Sequence, residues 1–225
     1  MAPDQGTAQA TAVRTACLPT YLVIDSSHSM KPCEQLLNDS ATQITETLLA
    51  RPRVGDFMRL SVIGFNDEAQ LLRGMTDDVD GIVPPRMACT GSARYAPMLD
   101  LLRRQADLDV PTLSTAGLNI LRPLVIFWID RPPADRPEGS WLASLARLTE
   151  TSWHPHVIAY GFDPSAEPVL RKVANQAAFL ADDALTSKQQ AVSSALTSVL
   201  RLLIVSAQKK QLQIPQAVAG FRPLL

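Results

Sequence analysis

Leu18-Pro-Thr-Tyr-Leu-Val-Ile-Asp-Ser-Ser-His-Ser-Met30 is the stretch of sequence that decides the fold. Its apolar, β-prone Tyr-Leu-Val-Ile run predicts a buried strand, which ends at the acid Asp25. Two hydroxyl side chains, Ser27 and Ser29, follow that acid at intervals of two residues. Open α/β sheets bind ligands at the carboxyl ends of their strands, and these oxygens lie at such an end. Carboxylate and hydroxyl oxygens suit Mg²⁺, Mn²⁺ or Ca²⁺ better than softer metals.

Strand and helix patterns alternate along the rest of the chain. This alternation predicts an α/β fold with a doubly wound, mostly parallel six-stranded sheet. One short antiparallel strand is expected at an edge, with helices on both faces of the sheet. Residues 107–122 fit neither period and are predicted to form a surface insertion. Strands are predicted at 18–25, 57–65, 69–72, 124–130, 156–161 and 178–180, and helices at 34–49, 95–105, 141–148, 166–175 and 184–209.

The length and composition fit one globular domain. A chain of 225 residues can bury a sizeable α/β core. We predict a flexible leader at 1–16, a single domain at 17–210, and a C-terminal tail at 211–225 that either docks or remains free.

The overall charge gives no reason to expect nucleic acid or a membrane as partner. The net charge is −1, so any charged recognition must be local. The N-terminus has neither the basic nor the apolar region of a secretory signal. No segment is expected to approach the roughly 20 apolar residues of a membrane helix. These observations favour a cytoplasmic protein, and they leave its oligomeric state open.

The three cysteines are Cys17, Cys33 and Cys89. Their odd number and the absence of metal-type spacing argue against a disulfide framework. We expect small buried thiols, with a redox pair between Cys33 and Cys89 as the alternative.

Two further segments supply candidate ligands for a metal. Thr90 and Gly91 stand just before a predicted helix, and Gly91 permits a close backbone approach. Asp130 ends an almost wholly apolar strand, so it can meet Asp25 at the same edge of the sheet. Two carboxylates and three hydroxyls would leave part of an octahedral shell open for an external carboxylate. The predicted metal ligands are Asp25, Ser27, Ser29, Thr90 and Asp130.

This set of motifs resembles the metal-ion-dependent adhesion site of a von Willebrand factor A domain. In that family the two serines and the threonine coordinate the metal, and the acids coordinate it directly or through water. The Leu-Pro-x-Tyr-Leu lead-in is similar to Y-type tellurium-resistance proteins of the bacterial cytoplasm. The resemblance implies a metal-dependent protein–protein interaction module in a stress-response or tellurium-resistance complex. The cation would bridge to an Asp or Glu of a protein partner.

Four positions depart from the pattern of the family. His28 stands where Gly is usual, and Cys89 replaces another common Gly. Ile129-Asp130-Arg131 stands in place of Thr-Asp-Gly. The positive charge of Arg131 would either favour an acidic ligand or weaken cation binding.

Two other functions remain open from the sequence. Metal-bound water between two carboxylates could hydrolyse a phosphoester. Neither a second metal site nor a general base is evident, and no nucleophile elbow surrounds Ser27, so an enzyme is not expected. The chain could also be a structural subunit with a degenerate metal site.

Overall fold

A computed structural model describes residues 15–75, 84–182 and 186–225. Most of the predicted leader lies outside this range, although Ala16 already belongs to the first strand. The strands are β1 (Ala16–Asp25), β2 (Met58–Phe65), β3 (Ala69–Arg73), β4 (Asn119–Ile120), β5 (Leu124–Ile129), β6 (His156–Gly161), β7 (Ala177–Ala181) and β8 (Phe221–Pro223). The helices are α1 (Glu34–Leu49), α2 (Pro52–Phe57), α3 (Tyr95–Thr115), α4 (Trp141–Thr149), α5 (Glu167–Val173) and α6 (Lys188–Lys209).

The strands form one mostly parallel sheet in the order β3-β2-β1-β5-β6-β7-β8, with β4 paired to β1. Only the edge strands β3 and β8 pair in antiparallel fashion within the described residues. The α/β fold predicted from sequence is therefore confirmed. The sheet has eight strands rather than six, because β4 and β8 are too short to show a period. The predicted edge strand at 178–180 is the core of β7, which β8 covers.

The centre of the sheet is buried on both faces. Along β1, Leu22 and Ile24 belong to the core shared with α1 and α6. Tyr21 and Val23 point to the opposite core, which includes residues of α3 and α4. Side chains on a strand alternate between faces, so a continuous apolar run is what a doubly covered strand needs. The chain leaves β1 for β2 on one side and returns to β5 on the other, which places a topological switch point between β1 and β5.

Helix α3 replaces much of the surface insertion that the sequence predicted at 107–122. It continues to Thr115, and its buried positions keep a helical spacing through Ala106 and Leu113. The prediction was wrong because the buried Asp109 interrupts the apolar pattern and Pro111 suggests a break. Asp109 is tolerated in the core because its carboxylate accepts a hydrogen bond from Tyr21 Oη at 3.1 Å.

Helix α6 is long and apolar enough to cross a membrane when only its length and composition are considered. This differs from the expectation that no segment would approach that composition. The side chains of Val192, Val199 and Leu203 are buried in the core beside the sheet, and α6 also packs on α1. Packing of one face in the core accounts for the apolar composition of this helix.

A buried carboxylate fixes the start of α3. Asp135, in the loop after β5, accepts hydrogen bonds from the backbone N–H groups of Tyr95 at 2.7 Å and Ala96 at 2.9 Å. These two N–H groups have no partner within the helix because they belong to its first turn. Tyr95 Oη in turn donates to the carbonyl of Arg131 at 2.7 Å. The loop after β5 and the start of α3 are therefore held together.

We expect Asp135→Ala to lower the free energy of unfolding by about 2–3 kcal/mol, because it leaves one buried and one half-buried N–H donor unsatisfied. Urea unfolding followed by circular dichroism measures this change. Asp39→Ala, at an exposed position of α1, serves as the matched control and is expected to stay within about 0.5 kcal/mol of wild type. Equal stabilities of the two variants would contradict this role for Asp135.

Candidate metal centre

The candidate site lies where the carboxyl ends of β1 and β5 meet. Asp25 is the last residue of β1, and Asp130 directly follows β5, the neighbouring strand. Both side chains are fully buried. The backbone N–H of Asp130 donates to Asp25 Oδ2 at 3.1 Å, so the backbone of one residue is in contact with the carboxylate of the other.

The carboxylate of Asp25 links the loop after β1 to the loop after β5. Its Oδ2 receives the N–H of Asp130, and its Oδ1 receives the N–H of Ser27 at 2.8 Å. Burial raises the pKa of Asp25, and the nearby negative charge of Asp130 adds to this, although the hydrogen bonds from Ser27 and Asp130 oppose it. A buried carboxylate of this kind is stabilised when a cation lies beside it.

The hydroxyls of Ser27 and Ser29, in the loop after β1, lie close to each other. Ser27 Oγ and Ser29 Oγ are 3.1 Å apart. Ser27 is buried and Ser29 is half-buried. A short 3₁₀ helix over His28–Cys33 begins directly after Ser27 and gives this loop its shape. Two hydroxyl oxygens therefore lie together next to the Asp25 carboxylate.

The loop containing Thr90 is fixed to the first loop by its backbone. Thr90 N donates to the carbonyl of Ser26 at 3.0 Å, and His28 N donates to the carbonyl of Gly91 at 3.0 Å. The exposed Thr90 side chain accepts a hydrogen bond from Asn66 Nδ2 at 3.2 Å.

Backbone conformation and packing both require glycine at position 91 of this loop. Its φ is +63°, and a Cβ there would lie 2.0 Å from Asp67 Oδ2. Any other residue would therefore be both strained and in collision with Asp67. Asp67 Oδ1 accepts the N–H of Ser92 at 3.0 Å, which anchors the same turn.

Two basic side chains approach Asp130. Lys188 Nζ lies 2.7 Å from Asp130 Oδ1 and donates to the carbonyl oxygen of Ser29 at 3.4 Å. Arg131 Nε lies 3.6 Å from Asp130 Oδ2. Neither oxygen of Asp130 accepts a hydrogen bond of regular geometry from the described residues, so these two cations compensate its charge.

A third acid, Asp163, extends the charged cluster. Arg131 Nη1 lies 3.4 Å from Asp163 Oδ2. Partial burial raises the pKa of Asp163, but the hydrogen bonds from Ser165 and the positive charges of Arg131 and Lys188 outweigh it. The pKa of Asp163 is therefore lowered.

Lys188 and Asp163 were not among the residues that the sequence suggested. Both follow strands of the sheet: Asp163 comes two residues after β6, and Lys188 begins the helix that follows β7. Residues just beyond the carboxyl end of a parallel strand reach the same edge as Asp25 and Asp130. That topological signal was present in the sequence, although the motifs did not include it.

The donor atoms fit a hard divalent cation in type. They are oxygens of two buried carboxylates and of serine and threonine hydroxyls, which Mg²⁺, Mn²⁺ and Ca²⁺ accept. Within residues 15–75, 84–182 and 186–225, no group of three or more His, Cys, Asp or Glu side chains is arranged to hold a metal. Any ion at this edge would therefore depend on hydroxyl ligands and on Asp25 and Asp130.

Comparisons with known proteins identify the fold. No family model matches the sequence, and no curated protein sequence matches it. Among solved structures, a von Willebrand factor type A protein from Catenulispora acidiphila is similar over 84% of this chain and 43% of its own, with 10% identity and a TM-score of 0.56. Proximal thread matrix protein 1 from the mussel byssus, described with a zinc-occupied MIDAS motif, is similar over 85% and 48%, with 13% identity and a TM-score of 0.59.

A third neighbour is the ArnB paralog VWA2 from Sulfolobus acidocaldarius, with 14% identity and a TM-score of 0.52 over 82% of this chain and 46% of that one. At these identities the likeness shows the fold alone, and the fold is that of von Willebrand factor A domains. The chain spans less than half the length of each of these three neighbours.

The cysteines are buried and free, and two of them lie close to the site. Cys33 ends the 3₁₀ helix, and Cys89 precedes Thr90. Burial raises the pKa of Cys89 to about 12 and the pKa of Cys17 to about 11, and it also raises that of Cys33. Their surroundings therefore disfavour the reactive thiolate form. The buried thiols expected from the sequence are confirmed, and the structure contains no bond between Cys33 and Cys89.

We expect the native thiols to react at pH 8 at least about 100-fold more slowly than those of the protein unfolded in urea, because burial suppresses the thiolate. Absorbance during reaction with an aromatic disulfide reagent measures both rates. A native thiol that reacts as fast as in urea would show that one of these cysteines is accessible.

Proposed function

We propose that this domain binds a partner protein through a divalent cation. The cation, Mg²⁺, Mn²⁺ or Ca²⁺, would be held by Asp25, Ser27, Ser29, Thr90 and Asp130. An Asp or Glu of the partner would complete its shell. The observation that supports this most strongly is that two fully buried acidic residues, joined by a backbone hydrogen bond from Asp130 to the Asp25 carboxylate, lie next to a pair of hydroxyls 3.1 Å apart.

The composition of the donor set favours bridging over a purely internal metal site. Two carboxylates and three hydroxyls would leave room in the shell for an outside ligand, since Mg²⁺ usually keeps several waters. Thr90 is exposed and Ser29 is half-buried, so this side of the site is open to a partner. The neighbour described with a zinc-occupied MIDAS motif supports a divalent metal in a domain of this fold.

The rim of the site suits an acidic partner. His28 and Arg131 are both exposed beside the candidate ligands. Arg131 retains 49% of its side-chain exposure while it lies near Asp130 and Asp163. A positive group at the rim favours the approach of a negatively charged partner.

The cellular setting follows from the sequence resemblance. The Leu-Pro-x-Tyr-Leu lead-in and the Asp-x-Ser-x-Ser loop support a place in a bacterial cytoplasmic complex of the tellurium-resistance or stress-response type. This part of the proposal is an analogy between families. Nucleic acid and membrane are not expected as partners, because the net charge of −1 provides no general attraction to either.

We expect Mn²⁺ to bind to one saturable site. Ser27→Ala should weaken this Mn²⁺ binding by more than the roughly 10- to 100-fold that loss of an outer-shell partner costs. Calorimetric titration of the chelated protein measures this. Ser27 is preferred to Asp25 for the test, because the Asp25 carboxylate also accepts two backbone N–H groups.

Ser193→Ala on α6 makes the same chemical change away from the site and should leave binding unaltered. Partner capture should follow the same pattern and disappear in chelator. Wild-type protein that binds none of Mg²⁺, Mn²⁺ and Ca²⁺ would contradict the proposal and favour a structural subunit with a degenerate site.

We further propose that the domain is a binding module and not an enzyme. The positively charged groups of Lys188 and Arg131 lie beside the carboxylate of Asp130. The carboxylate of Asp25 accepts two backbone N–H groups, so neither carboxylate is free to act as a base on a metal-bound water. Incubation with an activated phosphate ester and Mn²⁺ should therefore give the same hydrolysis rate as Mn²⁺ alone. Turnover that is lost in Ser27→Ala and kept in Ser193→Ala would instead establish a metal-dependent phosphoester hydrolase.

A further inference from the structure

We propose that Lys188 is an internal competitor of the metal, whose ammonium group must leave Asp130 before a divalent cation can bind there. This inference rests on the proposed function, because it concerns the regulation of the same site. Lys188 would set the cation concentration at which the domain becomes able to bind its partner.

The balance of charge is the first reason. Asp25 and Asp130 bring two negative charges to the site, and Lys188 and Arg131 bring two positive charges within 4 Å of Asp130. The charge of Asp130, which would attract a divalent cation, is therefore already compensated from within the chain, and Arg131 is shared with Asp163. A metal added beside both cations would face strong repulsion in a buried setting.

Distance and exposure single out Lys188 rather than Arg131. The Lys188 ammonium is 2.7 Å from Asp130 and its side chain is 24% exposed. The Arg131 guanidinium is 3.6 Å away, 49% exposed, and shared with Asp163. Lys188 also donates to the Ser29 carbonyl, so its ammonium lies between two of the segments that would hold the metal.

Helix stability does not explain a lysine at this position. Lys188 is the first residue of α6, whose first turn has no acidic residue. A positive charge at a helix N-terminus is opposed by the helix dipole. The charge of Asp130 offsets this cost, which ties the role of Lys188 to the site.

The surroundings allow the ammonium to move while the helix stays in place. Ser187 Oγ accepts the N–H of Gln190 at 3.3 Å, and Gln190 Oε1 accepts the N–H of Ser187 at 2.9 Å, so the start of α6 is capped on both sides. The lysine stem is long and flexible. Asp163 lies close enough to interact with Lys188, so its carboxylate could pair with the ammonium group when Asp130 binds a metal.

Calorimetric titration of Mn²⁺ into four forms of the full chain tests the competition. The forms are wild type, Lys188→Gln, Lys188→Arg and the control Lys209→Gln, which removes a lysine roughly 30 Å away at the other end of α6. We expect Lys188→Gln to bind Mn²⁺ about tenfold or more tightly than wild type, because it removes the competing charge. Lys209→Gln and Lys188→Arg should bind with affinities near that of wild type.

A second measurement uses only the wild-type protein, so it does not depend on the folding of a variant. Acetic anhydride labelling followed by mass spectrometry reports the reactivity of each lysine. In chelator, Lys188 should react more slowly than Lys209, because its ammonium is held on Asp130. Saturating Mn²⁺ should raise the labelling rate of Lys188 several-fold and leave that of Lys209 unchanged.

The outcomes separate this inference from the proposed function. Equal or weaker Mn²⁺ binding by Lys188→Gln, with binding still lost in Ser27→Ala, would overturn the competition and leave the metal site intact. Labelling of Lys188 that is unaffected by saturating Mn²⁺ would overturn it as well. Absence of Mn²⁺ binding in wild type would contradict the proposed function, and its absence in Lys188→Gln as well would overturn the metal site itself.

Discussion

The rest of the site depends on the two hydrogen bonds that the buried carboxylate of Asp25 accepts. This carboxylate accepts one backbone N–H from the loop after β1 and another from Asp130 after β5, so it joins two strands that are distant in sequence. The switch point between β1 and β5 opens the space in which this can happen. Because both acids are fully buried, their charge must be compensated by hydrogen bonds or by nearby cations.

Electrostatic balance then decides what the site can do. Lys188 and Arg131 compensate the charge of Asp130 from within the chain, while the carboxylate of Asp25 accepts hydrogen bonds from the backbone N–H groups of Ser27 and Asp130. A divalent ion would take over the role of Lys188 and extend it to the serine hydroxyls. The same edge would then have two states, one closed by an ammonium and one open to an outside carboxylate. Through that difference the proposed binding module would respond to cation concentration.

The sequence predicted the framework of the fold well and its charged surroundings poorly. Helix α1 and strand β6 have the predicted bounds, because the apolar residues of α1 keep a helical spacing despite two buried polar residues, β6 is a short apolar run, and both end at clear turn signals. The sequence predicted too early an end for helix α3, because the buried Asp109 interrupts its apolar face. The sequence motifs correctly predicted that Asp25, Ser27, Ser29 and Asp130 lie close together. They could not predict the contact of Lys188 with Asp130, because it spans 58 residues of chain and depends on the direction of a long side chain.

The most direct test of a cation site at this edge is the anomalous scattering of Mn²⁺ in crystals of the protein. We predict one peak about 2.0–2.6 Å from Ser27 Oγ and Ser29 Oγ, with Lys188 Nζ moved away from Asp130. Crystals at saturating Mn²⁺ that show no peak there, with the Lys188 ammonium still paired to Asp130, would contradict a metal-dependent module. In that case Asp130 and Lys188 would form a permanent ion pair.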